Sequence, residues 1–350
     1  MILDELTYEQ CLRQGVGPMV FPARLEKGID LANSMRMKAV CMQNMQTQAK
    51  LQIVLERAWK ALEKAGIKPV LMKGAGLAAL YPDPSMRQWG DIDLFVGKEQ
   101  YHPACAVMRE TFPKALKFDE ELDHYKHYNI IADGVSIETH RVSVSFSHPI
   151  DERRYAKMEA FGVKHASELV IGDLRLQIFE PTFNALFVFL HSWEHMMSSG
   201  VSIRQLCDLA LLLHRNKEAI DARLLRKWLK ALHLYDVWQL YAYNLVQSLG
   251  YPRDEVLFYT DSVATRAEKM MADLLAGRMD ERLKDAGAKG EGPKEKAPKN
   301  RYLRKIHTMQ ERMRNARRIG QYSPEYARHM KATIWLSGLA RLFAKDRHWE

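Results

Sequence analysis

Apolar residues in the first part of the chain recur with a helical period. Leu51, Val54, Leu55, Ala58, Leu62 and Ala65 follow one another at three- and four-residue steps, which lays one apolar stripe against a core and predicts helix from about Ala23 to Ala65. Gly66 stands where a C-cap glycine would stop it. The period then changes. Pro69-Val70-Leu71-Met72 is an apolar run of strand length ending at Lys73-Gly74-Ala75-Gly76. Leu77 to Leu80 reads as a short helix, ended by Tyr81-Pro82-Asp83-Pro84, whose prolines forbid continuation. Asp91-Ile92-Asp93-Leu94-Phe95-Val96 alternates before turning apolar, as a strand with one buried face does. A helix is expected over Glu99 to Thr111.

Hairpins follow. Asn129 to Ala132 and Val135 to His140 flank Asp133-Gly134, a strong type I′ turn signal. Leu169 to Ile171 and Leu174 to Phe179 flank Gly172-Asp173 in the same way. Beyond Pro181 the pattern is helical, over Phe183 to Met197, Ile203 to His214, Ala222 to Leu232 and Tyr235 to Leu249. Asp285 to Asn300, rich in Gly, Pro, Lys and Glu, reads as a flexible linker. A basic helix over Tyr302 to Arg318 and a last helix started by Ser323-Pro324-Glu325 close the chain. The expected divisions are an N-terminal helical segment (1–66), a strand-rich core (67–180), a helical domain (181–280) and a basic linker with C-terminal helices (281–350).

With 350 residues, 47% of them hydrophobic, the chain can bury two cores, and 27% charged residues mark an ordinary globular protein. No apolar run approaches the length of a bilayer span, and the acidic start lacks the apolar stretch of a secretory signal. The four scattered cysteines form no Cys-x-x-Cys pair, so a reduced, cytoplasmic setting without structural zinc is expected. The net charge of +9 is local. Residues Arg278 to Arg318 carry 14 Lys+Arg and 6 Asp+Glu, so the basicity belongs to a tail, read either as a solvated linker or as an arm for RNA or another polyanion.

Asp91 and Asp93 stand two apart on a predicted strand and leave the same face, while Ile92 and Leu94 anchor the other. Two converging carboxylates repel unless a cation lies between them. Magnesium suits such a site, because it takes hard oxygen ligands and keeps positions for substrate phosphates. Glu138, within the hairpin strand, is the candidate third acid for a two-metal site. For the pair alone, a solvent-facing strand edge is the competing reading. Lys73-Gly74-Ala75-Gly76, between a strand and a helix, would offer backbone N–H groups to phosphate, with glycine permitting close approach. Lys73 and Arg87 are the cations placed to meet a triphosphate, Arg87 through a bidentate fork, unless Arg87 is a plain surface residue.

The ordered set of glycine turn, D-x-D strand and hairpin acid resembles the polymerase-beta nucleotidyltransferase superfamily. More closely, Leu71-Met72-Lys73-Gly74-Ala75, Tyr81-Pro82, Arg87, Asp91-Ile92-Asp93-Leu94, Glu138-x-His140 and the positions His191, His195, Arg204 and Asp208 are similar to a bacterial family known only as uncharacterised nucleotidyltransferases. The resemblance runs from about Ala65 to Leu213, and more loosely to the C-terminus. It implies an α+β fold, with a small mixed sheet forming a nucleotidyltransferase core between an N-terminal helical segment and a C-terminal helical domain. It also implies two magnesium ions and a nucleoside triphosphate donor. Carried over, Asp91 and Asp93 bind metal, Glu138 binds metal and assists the acceptor hydroxyl, and Lys73, Gly74, Ala75 and Arg87 meet the donor. Two departures stand out: the superfamily's Gly-Ser turn is Gly74-Ala75, and Asp91 lies seventeen positions after Gly74, a longer gap than usual.

His191 and His195 share a helix face, either as a zinc-binding pair or as packing against the sheet. Arg204 and Asp208 read as a helix-surface pair or as part of an acceptor pocket. Trp335, Leu336, Leu339, Leu342 and Phe343 line one side of the last helix, which suits docking on the body or a membrane surface. The functional expectation is transfer of a nucleoside monophosphate from a triphosphate to an acceptor hydroxyl. A non-catalytic antitoxin-like or RNA-associated module on the same fold is the alternative. The acceptor is not legible in the sequence.

Overall fold

The computed structural model describes residues 2–118, 122, 124–146, 148–197, 200–277, 309–310, 313–314 and 316–343. The expected linker over Asp285 to Asn300 lies outside the described residues, and so does most of the basic stretch from Arg278 to Arg318, with its helix. The architecture is α+β. Seven strands form one mixed sheet in the order β3-β4-β5-β2-β1-β7-β6: β1 Val70–Leu71, β2 Asp91–Phe95, β3 Leu116–Lys117, β4 His127–Ala132, β5 Val135–His140, β6 Ser167–Ile171 and β7 Leu174–Ile178. Neighbours β2 and β5 run parallel, as do β1 and β7, while β1–β2, β3–β4, β4–β5 and β6–β7 are antiparallel.

The chain forms two compact units. One gathers residues 1–145, 156–188 and 202–221 and contains the whole sheet. Its N-terminal helices are α1 Ile2–Glu5, α2 Tyr8–Arg13, α3 Gly17–Glu26 and α4 Ser34–Lys64. The sequence predicts one continuous helix from about Ala23 to Ala65; instead it breaks between α3 and α4. Gly28 and Asp30 take left-handed conformations there, with φ of +65° and +57°, ending α3 as a C-terminal glycine commonly does. The apolar stripe of α4 (Leu51, Val54, Leu55, Ala58, Trp59, Leu62) packs with Ile92, Leu94, Ile130 and Ile137 from one face of the sheet and with Tyr101, Cys105 and Met108 of α6 Gly97–Thr111. Fully burying each such aliphatic side chain contributes ~1.5–3 kcal/mol. This core fixes which residues of β2 and β5 point the other way.

Both expected hairpins form. Asp133 and Gly134 have φ of +52° and +75°, as the type I′ turn requires, and Gly172 sits at +60° in the second turn. The short helix after the glycine turn, α5 Ala75–Ala78, starts two residues earlier than the pattern suggests. Helix α7 Pro149–Lys164 escapes a periodicity reading, because its stripe is diluted by charged residues.

The second unit gathers residues 146–155, 189–201 and those from 222 onward. Helices α8 Pro181–Met197 and α7 contribute residues to both units, whereas α9 Ile203–Arg215 lies wholly in the first. The second unit holds α10 Ala222–Ala231, α11 Tyr235–Gln247, α12 Ala264–Leu275 and the last described helix, Pro324–Phe343. Ser323 caps that last helix, its Oγ accepting from the Tyr326 N–H at 3.2 Å. The side chains of Trp335, Leu336, Leu339, Leu342 and Phe343 lie outside the described part. Among the described residues, no helix is long and apolar enough to cross a membrane.

Candidate active site

Register brings the three acids together. In the parallel β2–β5 ladder, Asp91 stands opposite Ser136 and Asp93 opposite Glu138. Side chains alternate along each strand, so Asp91, Asp93, Glu138 and His140 share the face opposite the Ile92–Leu94–Ile137 core. One carboxylate oxygen from each of Asp91, Asp93 and Glu138 lies within 4.8 Å of the others. Asp93 is wholly enclosed, Glu138 is 23% exposed and Asp91 43%.

The protein balances part of this charge itself. Lys73, ending the segment after β1, sets its Nζ 3.0 Å from Asp93 Oδ2 and 3.8 Å from Asp91 Oδ2. Burial would lower the pKa of this ammonium, but Asp93, Asp91 and Glu138 together raise it, so Lys73 stays charged. His140 Nε2–H is shared between Asp93 Oδ1 at 3.0 Å and Glu138 Oε2 at 3.1 Å. Burial opposes a charged His140, yet these two hydrogen bonds and both carboxylates hold its pKa above the ordinary value. Burial likewise works against the Glu138 carboxylate, but His140, His127 and Lys73 bring its pKa down to about 2. Asp91 goes the other way: the neighbouring Asp93 charge, then burial, push its pKa up. Across the β4–β5 ladder, His127 lies opposite His140. Burial lowers its pKa to about 4 against the pull of Glu138, which leaves a neutral imidazole 3.9 Å from Glu138 Oε2.

The donor set fits magnesium. Three carboxylates face one lysine and one histidine, and at Asp91 the repulsion from Asp93, with burial, outweighs the pull of Lys73, Arg87 and Arg204. A hard divalent cation held by carboxylate oxygens would relieve that repulsion.

Gly74 links this cluster to the turn, though in a different way from the one its sequence suggests. Its φ and ψ of +56° and −116° are open to glycine and strained for other residues. A Cβ there would meet Trp89 Cε3 at 2.8 Å and Asp91 O at 3.3 Å. Glycine is therefore required by the packing of the turn on the segment that feeds β2. The Gly76 N–H already donates to Lys73 O at 3.0 Å, and α5 is a single turn, so its dipole is small. Ala75 is buried in the core.

Arg87 is not the plain surface residue that one reading of it expects. Its guanidinium is buried, not at the surface, and already engaged: Nε and Nη2 donate to Asp208 Oδ1 and Oδ2 at 2.7 and 2.9 Å, and Nη1 donates to Gly74 O at 3.2 Å. The bidentate fork exists, but its acceptor is Asp208. Tyr81 donates its hydroxyl to Asp208 Oδ1 at 2.8 Å, and Arg204 Nη1 lies 3.6 Å from Oδ2. Burial, then the Asp208 charge, hold the Tyr81 hydroxyl well above its ordinary pKa and so neutral. Asp208 is 2% exposed, which excludes the surface-pair reading of Arg204 and Asp208. Four positions scattered from 81 to 208 form one buried network that clamps the Gly74 turn.

His191 and His195 lie in the second unit, where their Nε2 atoms are 3.1 Å apart. No group of three ligating residues among the described ones includes them. Sequence reading missed the grip of His140 on two acids, although its place two residues after Glu138 put it on the same face. Trp89 and the Asp208 clamp left no comparable trace, beyond an acidic residue on the apolar side of α9.

A family model described as uncharacterised nucleotidyltransferase matches residues 4–250. No curated protein matches the chain. The solved structure of an antigenic nucleotidyltransferase-like protein from Paracoccidioides brasiliensis aligns with 62% of this chain and 96% of its own, at 16% identity and a TM-score of 0.39, too distant to bear on the site. The family match spans most of the chain and takes in the glycine turn, the three acids, His140 and the Asp208 clamp: this protein belongs to the uncharacterised nucleotidyltransferase family.

Proposed function

We propose that this protein is a nucleotidyltransferase of the polymerase-beta type, which moves a nucleoside monophosphate from a triphosphate to an acceptor hydroxyl and releases pyrophosphate. The observation that carries this reading is the convergence of Asp91, Asp93 and Glu138 on adjacent strands, within 4.8 Å and beside the Gly74 turn. In the transfer, the acceptor oxygen bonds to the α-phosphorus as the bond from that phosphorus to the pyrophosphate oxygen breaks, and the hydroxyl proton passes to solvent water.

Asp91, Asp93 and Glu138 would hold two magnesium ions, which when bound would neutralise developing charge on the phosphoryl and leaving-group oxygens. Glu138, ionised at neutral pH with a pKa of about 2, accepts a hydrogen bond from the acceptor hydroxyl and orients it. Lys73 supplies the protein's own positive charge at the cluster and is assigned to the triphosphate. His140, bonded to both Asp93 and Glu138, fixes the rotamers of two acids from behind. Arg87 acts on the turn through Asp208 and Gly74 O and leaves the phosphates to Lys73.

The test is transfer of label from α-phosphate-labelled nucleoside triphosphates to a pool of metabolites, RNA and protein. Magnesium-dependent labelling of an acceptor, lost in Asp93→Asn, is the expected result. Labelling that persists unchanged in Asp93→Asn would overturn the assignment.

A further inference from the structure

A second cluster of ligating groups lies entirely within the other unit. His148, at the approach to α7, Asp151 in the first turn of α7, and His329 on the last described helix each point one donor atom into a space where all three lie within 4.8 Å of one another. Asp151 is buried, at 4% side-chain exposure, and the two histidines are each 19% exposed. His329 Nε2 stands 2.6 Å from Asp151 Oδ2, and His148 Nδ1 stands 3.5 Å from the same oxygen. Among the described residues, His148 Nδ1 is buried and finds no hydrogen-bond partner. A buried imidazole nitrogen aimed at a carboxylate it does not bond is costly to leave unsatisfied.

We propose that His148, Asp151 and His329 form a binding site for a transition-metal ion of the zinc class. Two imidazoles and one carboxylate are a donor set that zinc accepts, with a fourth position left for water, whereas magnesium prefers oxygen donors. Bonds of about 2.0–2.2 Å in tetrahedral array would separate the donors by roughly 3.3 Å. His148 already lies near that distance from Asp151. His329 would move outward by well under an ångström as the ion replaces the hydrogen bond it now makes.

The surroundings support the carboxylate and one imidazole. Arg154 Nη1 lies 3.3 Å from Asp151 Oδ1, the oxygen not facing the histidines, and also donates to Ala231 O at 2.8 Å. The His233 ring stacks on His329 with centroids 4.0 Å apart and planes at 24°. His233 holds that place from a left-handed backbone with φ of +58°. Strain of that kind in a residue other than glycine persists only where its surroundings fix it.

The experiment uses the full chain carrying Asp91→Asn, Asp93→Asn and Glu138→Gln, which removes as competing sites both the carboxylate cluster and the His127–Glu138–His140 group that shares Glu138 with it. Cobalt(II), a spectroscopic stand-in for zinc, is titrated in and its visible d–d bands are recorded. Bands of tetrahedral intensity, saturating at one equivalent and displaced by zinc, are expected. His148→Ala should weaken binding by more than about 100-fold, since even partners outside the ligand set cost 10–100-fold. Among the described residues that variant removes no hydrogen bond of His148 Nδ1, so it should fold, and its far-ultraviolet circular dichroism checks this. His329→Ala should do the same. Only weak octahedral-type bands, or tetrahedral bands unchanged in folded His148→Ala, would overturn the proposal.

Discussion

Two charged clusters occupy the sheet-bearing unit, and they are built on opposite plans from much the same residue types. Around Asp208, two arginines and a tyrosine hydroxyl surround one carboxylate, both of whose oxygens receive short hydrogen bonds. Around Asp93 the proportions are reversed: three carboxylates meet one lysine and one imidazole. The first cluster is closed, with every strong acceptor served. The second is short of positive charge, and the raised pKa of Asp91 records the deficit. A closed buried cluster holds a shape, whereas one short of cations is poised to take them from solution.

If that contrast is right, the largest effect on folding belongs to Asp208. Asp208→Ala leaves Arg87 buried without its partner, and loss of about 3–5 kcal/mol is expected from denaturant unfolding. Asp93→Asn should lower nucleotidyl transfer by at least about 100-fold, the low end for removing one preorganised electrostatic group, while the protein stays folded. A variant at Asp93 that unfolds, or one at Asp208 that stays fully stable, would reverse the assigned roles.

Gly74→Ala tests the join between the clusters. The left-handed backbone and the approach to Trp89 predict destabilisation of ~1–3 kcal/mol, together with reduced transfer. Retained stability with lost triphosphate binding would instead return Gly74 to a pure phosphate contact.

Acid sensitivity gives a subtler test. The pKa of Glu138 is depressed to about 2 in the fold, against about 4.5 for an ordinary glutamate. Its ionised form therefore contributes stability that is complete above about pH 4.5 and is lost as the pH falls through about 2. The stability gap between wild type and Glu138→Gln, followed by urea unfolding across this range, should narrow toward acid. The smallest effect is expected of Asp91→Asn without added metal: a change within about 0.5 kcal/mol, or slight stabilisation, because the substitution relieves repulsion.

The same contrast explains what the sequence made legible. The carboxylate cluster is partly local in pattern: period-two alternation puts Asp91 and Asp93 on one face of β2 and Glu138 and His140 on one face of β5, while the pairing of β2 with β5 that joins them is tertiary. His140 obeys the same alternation and could have been included. The Asp208 cluster joins residues from 81, 87, 204 and 208 through tertiary packing, so no spacing rule reaches it. The carboxylate that Arg87 bonds lies 121 positions away in the chain, so the sequence carries no sign of it. The break at Gly28 to Asp30 interrupts a helical pattern whose apolar spacing continues on both sides, leaving only the glycine as a sign.

The most direct test of the account is paramagnetic binding of manganese(II), standing in for magnesium, followed by electron spin resonance with and without a non-hydrolysable nucleoside triphosphate analogue. Wild type should bind manganese far more tightly when the analogue is present, and Asp91→Asn combined with Asp93→Asn should abolish that triphosphate-dependent signal. An equally strong triphosphate-dependent signal in the folded double variant would show that these carboxylates are not the metal site.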